Sequence, residues 1–354
     1  MRIARPSRTV IGVDVGRRTI KAAQLTWSEG GYRVCALSLL PRPEPEKELA
    51  RADASALRSV LKRQGFSGRK IVVVAPEERL MRAALELPSK VAGTPIGQIV
   101  RMELSRLNNV APDSFEMAYW EWRTPDGAKP MTRTLAIGCP HEAVGGILDV
   151  FEAEGFDVVA LDVRSAAAGR ACEALLLPAS QITAIADLGW RSTTVQFVCG
   201  RSLLYERVPE GISTAELTGK LAGVFGITVE AAQQVANTVG LTVDQPIEGI
   251  DRETLDAVRK HLRSHFDKLL DEVRAPFSYV NHQFPGEGVK RLLLIGGGAA
   301  IPQLSSYMQG PLGIDVRSAA PSDLVTSPVE LLSKAGNPAM TLAVGLARFG
   351  GAGG

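Results

Sequence analysis

The sequence predicts an α/β fold built around two facing β-hairpins, with a small α/β unit inserted between them. Three observations predict it. Near the start, Ile11-Gly12-Val13-Asp14-Val15-Gly16 is a short apolar strand that carries one carboxylate and runs into a glycine; near the middle, Ile185-Ala186-Asp187-Leu188-Gly189 repeats the pattern. Each copy leads through polar residues into a second apolar strand, with Thr19, Ile20 and Lys21 after the first and Ser192, Thr193, Thr194 and Val195 after the second. A third glycine turn, Leu292-Leu293-Leu294-Ile295-Gly296-Gly297-Gly298-Ala299, closes the series.

The elements follow in order. Thr9–Val15, Ile20–Trp27 and Tyr32–Leu40 read as consecutive strands joined by turns such as Glu29-Gly30-Gly31. After the stiff Pro41–Pro45 loop, a helix is expected over Ala54–Gln64, stopped by Gly65, and then a buried strand Lys70–Ala75. The inserted unit begins near Leu80. It reads as a strand Arg82–Leu87, a Pro/Gly-rich turn, a helix Ile96–Leu107, strands Glu116–Arg123 and Arg133–Cys139, an amphipathic helix His141–Glu154 and a strand Asp157–Leu161. Trp120 and Trp122 share one face of their strand, which makes them core or an exposed docking patch; core is the preferred reading. A helix Ser165–Leu177 leads into the second hairpin, Thr194–Val198 with Arg201–Val208. Helices are then expected over Thr214–Phe225, Val229–Val239 and Arg252–Phe284, the last broken near Pro276. A strand Val289–Ile295, a helix around Gln303–Met308, a short strand Asp315–Arg317 and a helix Met340–Phe349 end the fold before a frayed Gly350–Gly354 tail.

Facing hairpins with glycine at their tips suit a phosphate chain, because glycine places no Cβ in the way of backbone N–H donors. Asp14 and Asp187 need a partner among residues as apolar as Val13, Val15, Ala186 and Leu188, since burying a bare polar group costs about 2–7 kcal/mol. A hydrated Mg²⁺ bridging to phosphate would supply one. A single Asp-x-Gly is a common strand-ending turn. Two copies on matching strand–turn–strand patterns make a nucleotide the leading ligand.

The composition narrows the class. With 354 residues, 45% hydrophobic and a net charge of +2, the chain has room for two cores and lacks the basic excess of a nucleic-acid binder. The basic run Arg58, Lys62, Arg63, Arg69 and Lys70 reads as a solvated helix face. No apolar run approaches the ~20 residues of a membrane span, and the basic start lacks the apolar core of a signal peptide. Cys35, Cys139, Cys172 and Cys199 are scattered as reduced thiols would be. His261 and His265 have metal-compatible spacing but no third ligand, so a solvated face is expected for them.

The order hairpin, helix, hairpin, glycine turn resembles the actin-like (ribonuclease H-like) ATPase superfamily. Within it the chain is similar to the PilM family of type IV pilus assembly proteins, from about Val10 to Phe349. The likeness includes Ile11–Leu25, Gly65–Pro76, Leu85-Glu86-Leu87-Pro88, Glu154-Gly155-Phe156, Leu161-Asp162-Val163, and Phe266–Tyr279 leading to Arg291–Leu304. The insertion falls where FtsA and PilM, rather than actin and MreB, carry theirs.

The resemblance implies a two-lobed fold: a first lobe over 8–79 and 162–180, an FtsA/PilM-type subdomain over 80–161, and a second lobe over 181–349 with a helical insertion at about 209–265. It places Asp14, Gly16, Thr19 and Lys21 on the first phosphate loop, and Asp187, Gly189, Ser192, Thr193 and Thr194 on the second. Gly296, Gly297 and Gly298 fall on the adenosine side, and Mg²⁺ would be held through water by Asp14 and Asp187. It implies ATP with Mg²⁺ as ligands. It also implies a cytoplasmic scaffold of pilus or related secretion machinery, whose groove takes the N-terminal cytoplasmic peptide of a PilN-like inner-membrane protein. Membrane contact would come through partners, with self-association open and nucleic acid not expected.

Several residues depart from the pattern. Arg17 and Arg18 stand where relatives carry small hydroxyl residues, and could reach phosphate or serve structure. In Glu230-Ala231-Ala232-Gln233-Gln234-Val235-Ala236 the usual Lys is absent, with Ala236 in the segment and Gln233 in place of an acid; Arg164 stands where a carboxylate is common. These changes predict weak ATP binding and little or no hydrolysis. A small-molecule kinase of the same superfamily, an FtsA-like cytoskeletal protein and a structural relative that has lost nucleotide, for which Arg17, Arg18 and Ala236 speak, are the rival readings. A kinase, however, needs a base for its acceptor hydroxyl, and no Asp or Glu is clearly placed for that.

Overall fold

Buried aliphatic strands make three separate sheets in the computed structural model, which describes residues 7–28, 30–88, 95–123, 131–178, 180–241, 246–283 and 288–351. Glu29, the turn at 89–94, Phe284 and the tail at 352–354, for which expectations were stated, lie outside the described residues, as does the Trp122 side chain.

The chain opens with β1 (Ser7–Arg8), β2 (Ile11–Val15), β3 (Thr19–Ser28) and β4 (Gly31–Pro41), followed by α1 (Arg51–Arg63) and β5 (Lys70–Val74). The inserted segment holds β6 (Met81–Pro88), α2 (Ile96–Asn108), β7 (Phe115–Arg123), β8 (Met131–Pro140) and α3 (His141–Glu152). Next come β9 (Asp157–Asp162) and α4 (Arg164–Ala171), then β10 (Ile182–Leu188), β11 (Thr193–Cys199) and β12 (Ser202–Arg207). Helices α5 (Thr214–Phe225), α6 (Val229–Val239) and α7 (Arg252–Gln283) precede β13 (Val289–Ile295), α8 (Leu304–Leu312) and β14 (Asp315–Ser318). The short α9 (Pro321–Leu324) and α10 (Leu332–Ala335) lead to α11 (Thr341–Ala347).

The first sheet has the order β1-β3-β2-β5-β9, with β4 paired to β3. The second is β12-β11-β10-β13-β14, and the third is β6-β8-β7. In the first two, a buried strand (β2 or β10) pairs antiparallel with its hairpin mate on one side and parallel with β5 or β13 on the other. That shared plan is the physical content of the sequence repeat. It drives each aspartate deep into the molecule, because β10 is buried along its whole length and β2 through Asp14.

One apolar cluster joins the three sheets: Val72 and Val74 from β5, Ala167 and Ala168 from α4, Ile185, Leu203 and Leu293 from the second sheet, and Leu135 from the third. Trp120 packs half-buried against it, as the core reading of that residue expected. Helix α11 lies against both β2 and α4 at backbone contact. A Cβ on Gly12 would stand 2.2 Å from the Ala343 carbonyl oxygen, and one on Gly345 would stand 1.9 Å from that of Ala167. Mid-helix glycine costs roughly 1 kcal/mol relative to alanine, so close approach is the reason for Gly345.

Four expectations need correction. The strand Asp157–Asp162 (β9), expected in the inserted unit, is an edge of the first sheet, paired parallel with β5, and α3 buries Ile147 and Phe151 in the core of that sheet. Helix α7 does not break at Pro276. The lost hydrogen bond to Glu272 is outweighed by burial on both sides of the proline, where Leu269, Leu270, Val273, Phe277 and Val280 contribute about 1.5–3 kcal/mol each. The helix expected to reach Leu177 ends at Ala171 and tightens into a 3₁₀ turn over Cys172–Leu175. His265 is not solvated: it is buried, and burial pulls its imidazole down to about 4. No group of three or more His, Cys, Asp or Glu side chains able to hold a metal occurs among the described residues.

Replacing Gly345 with Ala should remove more than about 4 kcal/mol of stability or abolish soluble protein, despite alanine's better helix propensity. Urea denaturation of the purified variant measures it.

Candidate functional site

The two hairpins bring their aspartates to one point. In β2–β3, Asp14 is paired across the ladder with Lys21; in β10–β11, Asp187 is paired with Thr194. Directly opposed residues share a face. Lys21 Nζ accordingly reaches Asp14 Oδ2 at 3.0 Å, and the Thr194 hydroxyl is buried beside Asp187 with no hydrogen-bond partner.

The tip glycines serve the hairpins themselves. Gly16 donates its N–H to the Thr19 carbonyl and Gly189 donates to that of Ser192, each at 3.0 Å. Neither has a positive φ. A Cβ on Gly16 would stand 2.8 Å from Lys21 Nζ, and one on Gly189 would stand 2.7 Å from the Ser192 oxygen. Tight closure, not a left-handed backbone, therefore demands glycine at both tips. In the third turn Gly296 does take a positive φ of 85°, and its Cβ would fall 2.3 Å from Asp187 Oδ1. Gly298 packs on Leu188, whereas Gly297 faces open space. The third turn thus buttresses the second aspartate.

Between the two aspartates sits Arg164, the first residue of α4. Its Nη1 donates to Asp187 Oδ2 at 2.7 Å, its Nη2 lies 3.5 Å from Asp14 Oδ1, and its Nε lies 3.9 Å from Glu77 Oε2. Glu77 also pairs with Arg82 on β6, whose Nε reaches Glu206 Oε1 on β12 at 2.5 Å. Burial alone would lower the Arg164 pKa, but Asp187, Asp14 and Glu77 outweigh it and hold the guanidinium above its ordinary value. At Asp14, burial pushes upward, and Lys21 with Arg164 overcomes it, leaving the carboxyl below the usual range. At Glu77 burial prevails over Arg82 and Arg164, and the carboxyl is raised.

This arrangement does not fit the hydrated Mg²⁺ expected on Asp14 and Asp187. Two protein cations already neutralise those carboxylates, and the guanidinium occupies the space between them. The mouth of the clamp fits an anion better. Arg17 pairs with Glu78; Arg18 crosses from the first tip to the second, pairs with Glu230 and lies 4.6 Å above the Trp190 ring. Arg18 Nη1 and Trp190 Nε1 are both buried donors without an acceptor. Ala236 belongs to the core formed with Ala232 and Val239, so a lysine at that position would point into apolar packing.

The sequence motif located Asp14, Lys21, Asp187 and Thr194 and singled out Arg164. It carried no sign that Glu77, Arg82 and Glu206 extend the network, because those contacts span up to 124 positions. The Glu-Glu-Arg run directly after β5 was the one signal available for Glu77.

Arg164→Met leaves the buried aspartates with Lys21 as their remaining cation and should cost about 3–5 kcal/mol at pH 7. In the wild type the depressed Asp14 contributes stability that is present above the unfolded carboxyl pKa and lost as pH falls through the folded one. In the variant Asp14 loses one of the two cations that hold its carboxyl down, so the deficit should shrink between pH 7 and pH 5. Urea denaturation at the two pH values checks this.

A sequence profile described as type IV pilus assembly protein PilM matches residues 12–348. Among solved structures, a PilM-PilN type IV pilus biogenesis complex is similar with a TM-score of 0.75 and 22% identity, over 96% of this chain and 97% of that one. Ethanolamine utilization protein EutJ from Carboxydothermus hydrogenoformans is similar at 0.54 and 16% identity, over 98% of this chain and 92% of that one. MreB5 of Spiroplasma citri, in a structure bound to ADP, is similar at 0.52 and 11% identity, over 98% and 95%. The fold is the actin-like ATPase fold. The match over nearly the whole length shows that this chain belongs to the family of the type IV pilus assembly protein PilM.

Proposed function

We propose that the chain is a cytoplasmic scaffold of type IV pilus or related secretion machinery, binding the N-terminal peptide of a PilN-like inner-membrane protein. The family match over residues 12–348 carries this reading, and the likeness to a PilM-PilN complex supports the partner. No helix among the described residues is long and apolar enough to cross a membrane. Attachment through a membrane-bound partner is consistent with that.

The groove is assigned to the inserted unit at 80–161 and the lobe beside it. Strand β6 is an edge of its sheet, with Ala84 and Glu86 exposed, so backbone and side chains are both available to a peptide. Arg82, on the same strand, reaches both Glu77 and Glu206. A change at the clamp can therefore bias the groove, provided that the partner contacts the two states differently.

A nucleotide is the ligand assigned to the clamp. MreB5 carries ADP on the same fold, and the cationic mouth formed by Arg18 suits phosphate. Turnover is expected to be weak or absent, because Asp14 and Asp187 are each engaged with a protein cation, which disfavours their taking a proton.

A synthetic peptide from the cytoplasmic N-terminus of the PilN-like partner should bind the full chain in calorimetric titration. Ala84→Arg with Glu86→Lys should weaken it by about tenfold or more, that is by about 1.4 kcal/mol. Absence of binding both with and without nucleotide would sink the scaffold assignment.

A further inference from the structure

We infer that Arg164 is the resident cation of the clamp, and that the clamp takes nucleotide phosphates without a divalent metal. The inference rests on the nucleotide reading proposed above. A hydrated magnesium ion between two strand carboxylates needs their lone pairs for its water shell. Here Asp187 Oδ2 is taken by Arg164 at 2.7 Å and Asp14 Oδ2 by Lys21 at 3.0 Å. The third acid at the junction, Glu77, is turned toward Arg164 and Arg82. Each carboxylate at the junction has a protein cation. Asp14 Oδ1 and Glu77 Oε2 receive no hydrogen bond, but they lie 3.5 and 3.9 Å from the Arg164 guanidinium, so a divalent ion between the aspartates would have to displace it.

The donors left over point to the ligand. Arg18 Nη1 and Trp190 Nε1 stand on opposite tips, buried and without acceptors, and the Thr194 hydroxyl on the second hairpin is likewise buried without a partner. A phosphate at the mouth offers acceptors to donors such as Arg18 Nη1 and Trp190 Nε1, which lie on facing tips with Arg18 4.6 Å above the Trp190 ring. Arg18 can turn toward it at small cost, because its present partner Glu230 is largely exposed and such pairs contribute little. Guanidinium groups match phosphate oxygens in fork geometry, and Arg164 keeps its charge at every accessible pH. The positive charge that a metal would bring with the nucleotide is thus already part of the fold.

Titration of a fluorescent ATP analogue into the full chain, in Mg²⁺ buffer and in EDTA, tests the inference. Wild-type affinities in the two buffers are expected to agree within about threefold. Arg18→Ala should lose about tenfold in both. Arg164→Ala should lose binding in EDTA and recover it with Mg²⁺, while Arg164→Lys keeps binding in EDTA. The wild-type comparison decides the matter even if the Ala variant fails to fold. Wild-type binding that falls tenfold or more in EDTA would overturn the resident-cation inference and leave the nucleotide reading intact. No binding in either buffer, by protein that still captures the partner peptide, would overturn both.

Discussion

The buried guanidinium of Arg164 between Asp14 and Asp187 is the contact on which the arrangement of this molecule depends. It ties three chain segments far apart in sequence: the first hairpin, the helix that leads into the second half, and the second hairpin. Burial alone would weaken its charge, and the surrounding acids outweigh that effect. A charge in such a place is an expensive component. Removing one partner from a buried pair typically costs more than the pair contributes, since the other charge is left stranded. The arrangement is therefore all-or-none, and it favours one relative position of the two large sheets.

From that point the ion network spreads outward in one direction. Glu77 leaves the first sheet just after β5, meets Arg164 on one side and Arg82 on the other, and Arg82 hands over to Glu206 on the second sheet. The third sheet is thus bonded to the clamp by charge as well as by the shared apolar cluster around Leu135, Leu203 and Leu293. An inserted unit held only by apolar packing could slide. Directional charge-assisted bonds fix its register against the lobes. This gives a family built on an ATPase fold a physical route from the clamp to the unit proposed to hold a membrane partner.

The clamp also separates two properties that the glycine-tipped hairpins alone would merge. Accepting phosphate and placing a metal for phosphoryl transfer share the same aspartates in the expected arrangement. Here each aspartate has one oxygen held by a protein cation, while Arg18, Trp190 and Thr194 on the two hairpins keep unused donors. Occupancy without turnover is what a scaffold needs if nucleotide serves to set its shape.

The sequence by itself determined the strand–turn–strand repeat, the buried aspartates and most element boundaries, because these depend on local alternation and turn chemistry. Helices α5 and α6 begin and end at the residues expected, capped by the Ser213 and Thr228 side chains and followed by Gly226 and Gly240. Local signals misled where burial outweighed them: Pro276 sits inside an unbroken helix, and His265 lies buried rather than solvated. Arg164 stood out in the sequence as an oddity, yet its role could not be read there. Only the tertiary structure decided that it fills the space between two carboxylates, that Arg18 rests on Trp190, and that Glu77 and Arg82 carry the network to the third sheet. Contacts between residues so distant in sequence leave no periodic trace, because they arise from how the sheets meet and not from how any one segment folds.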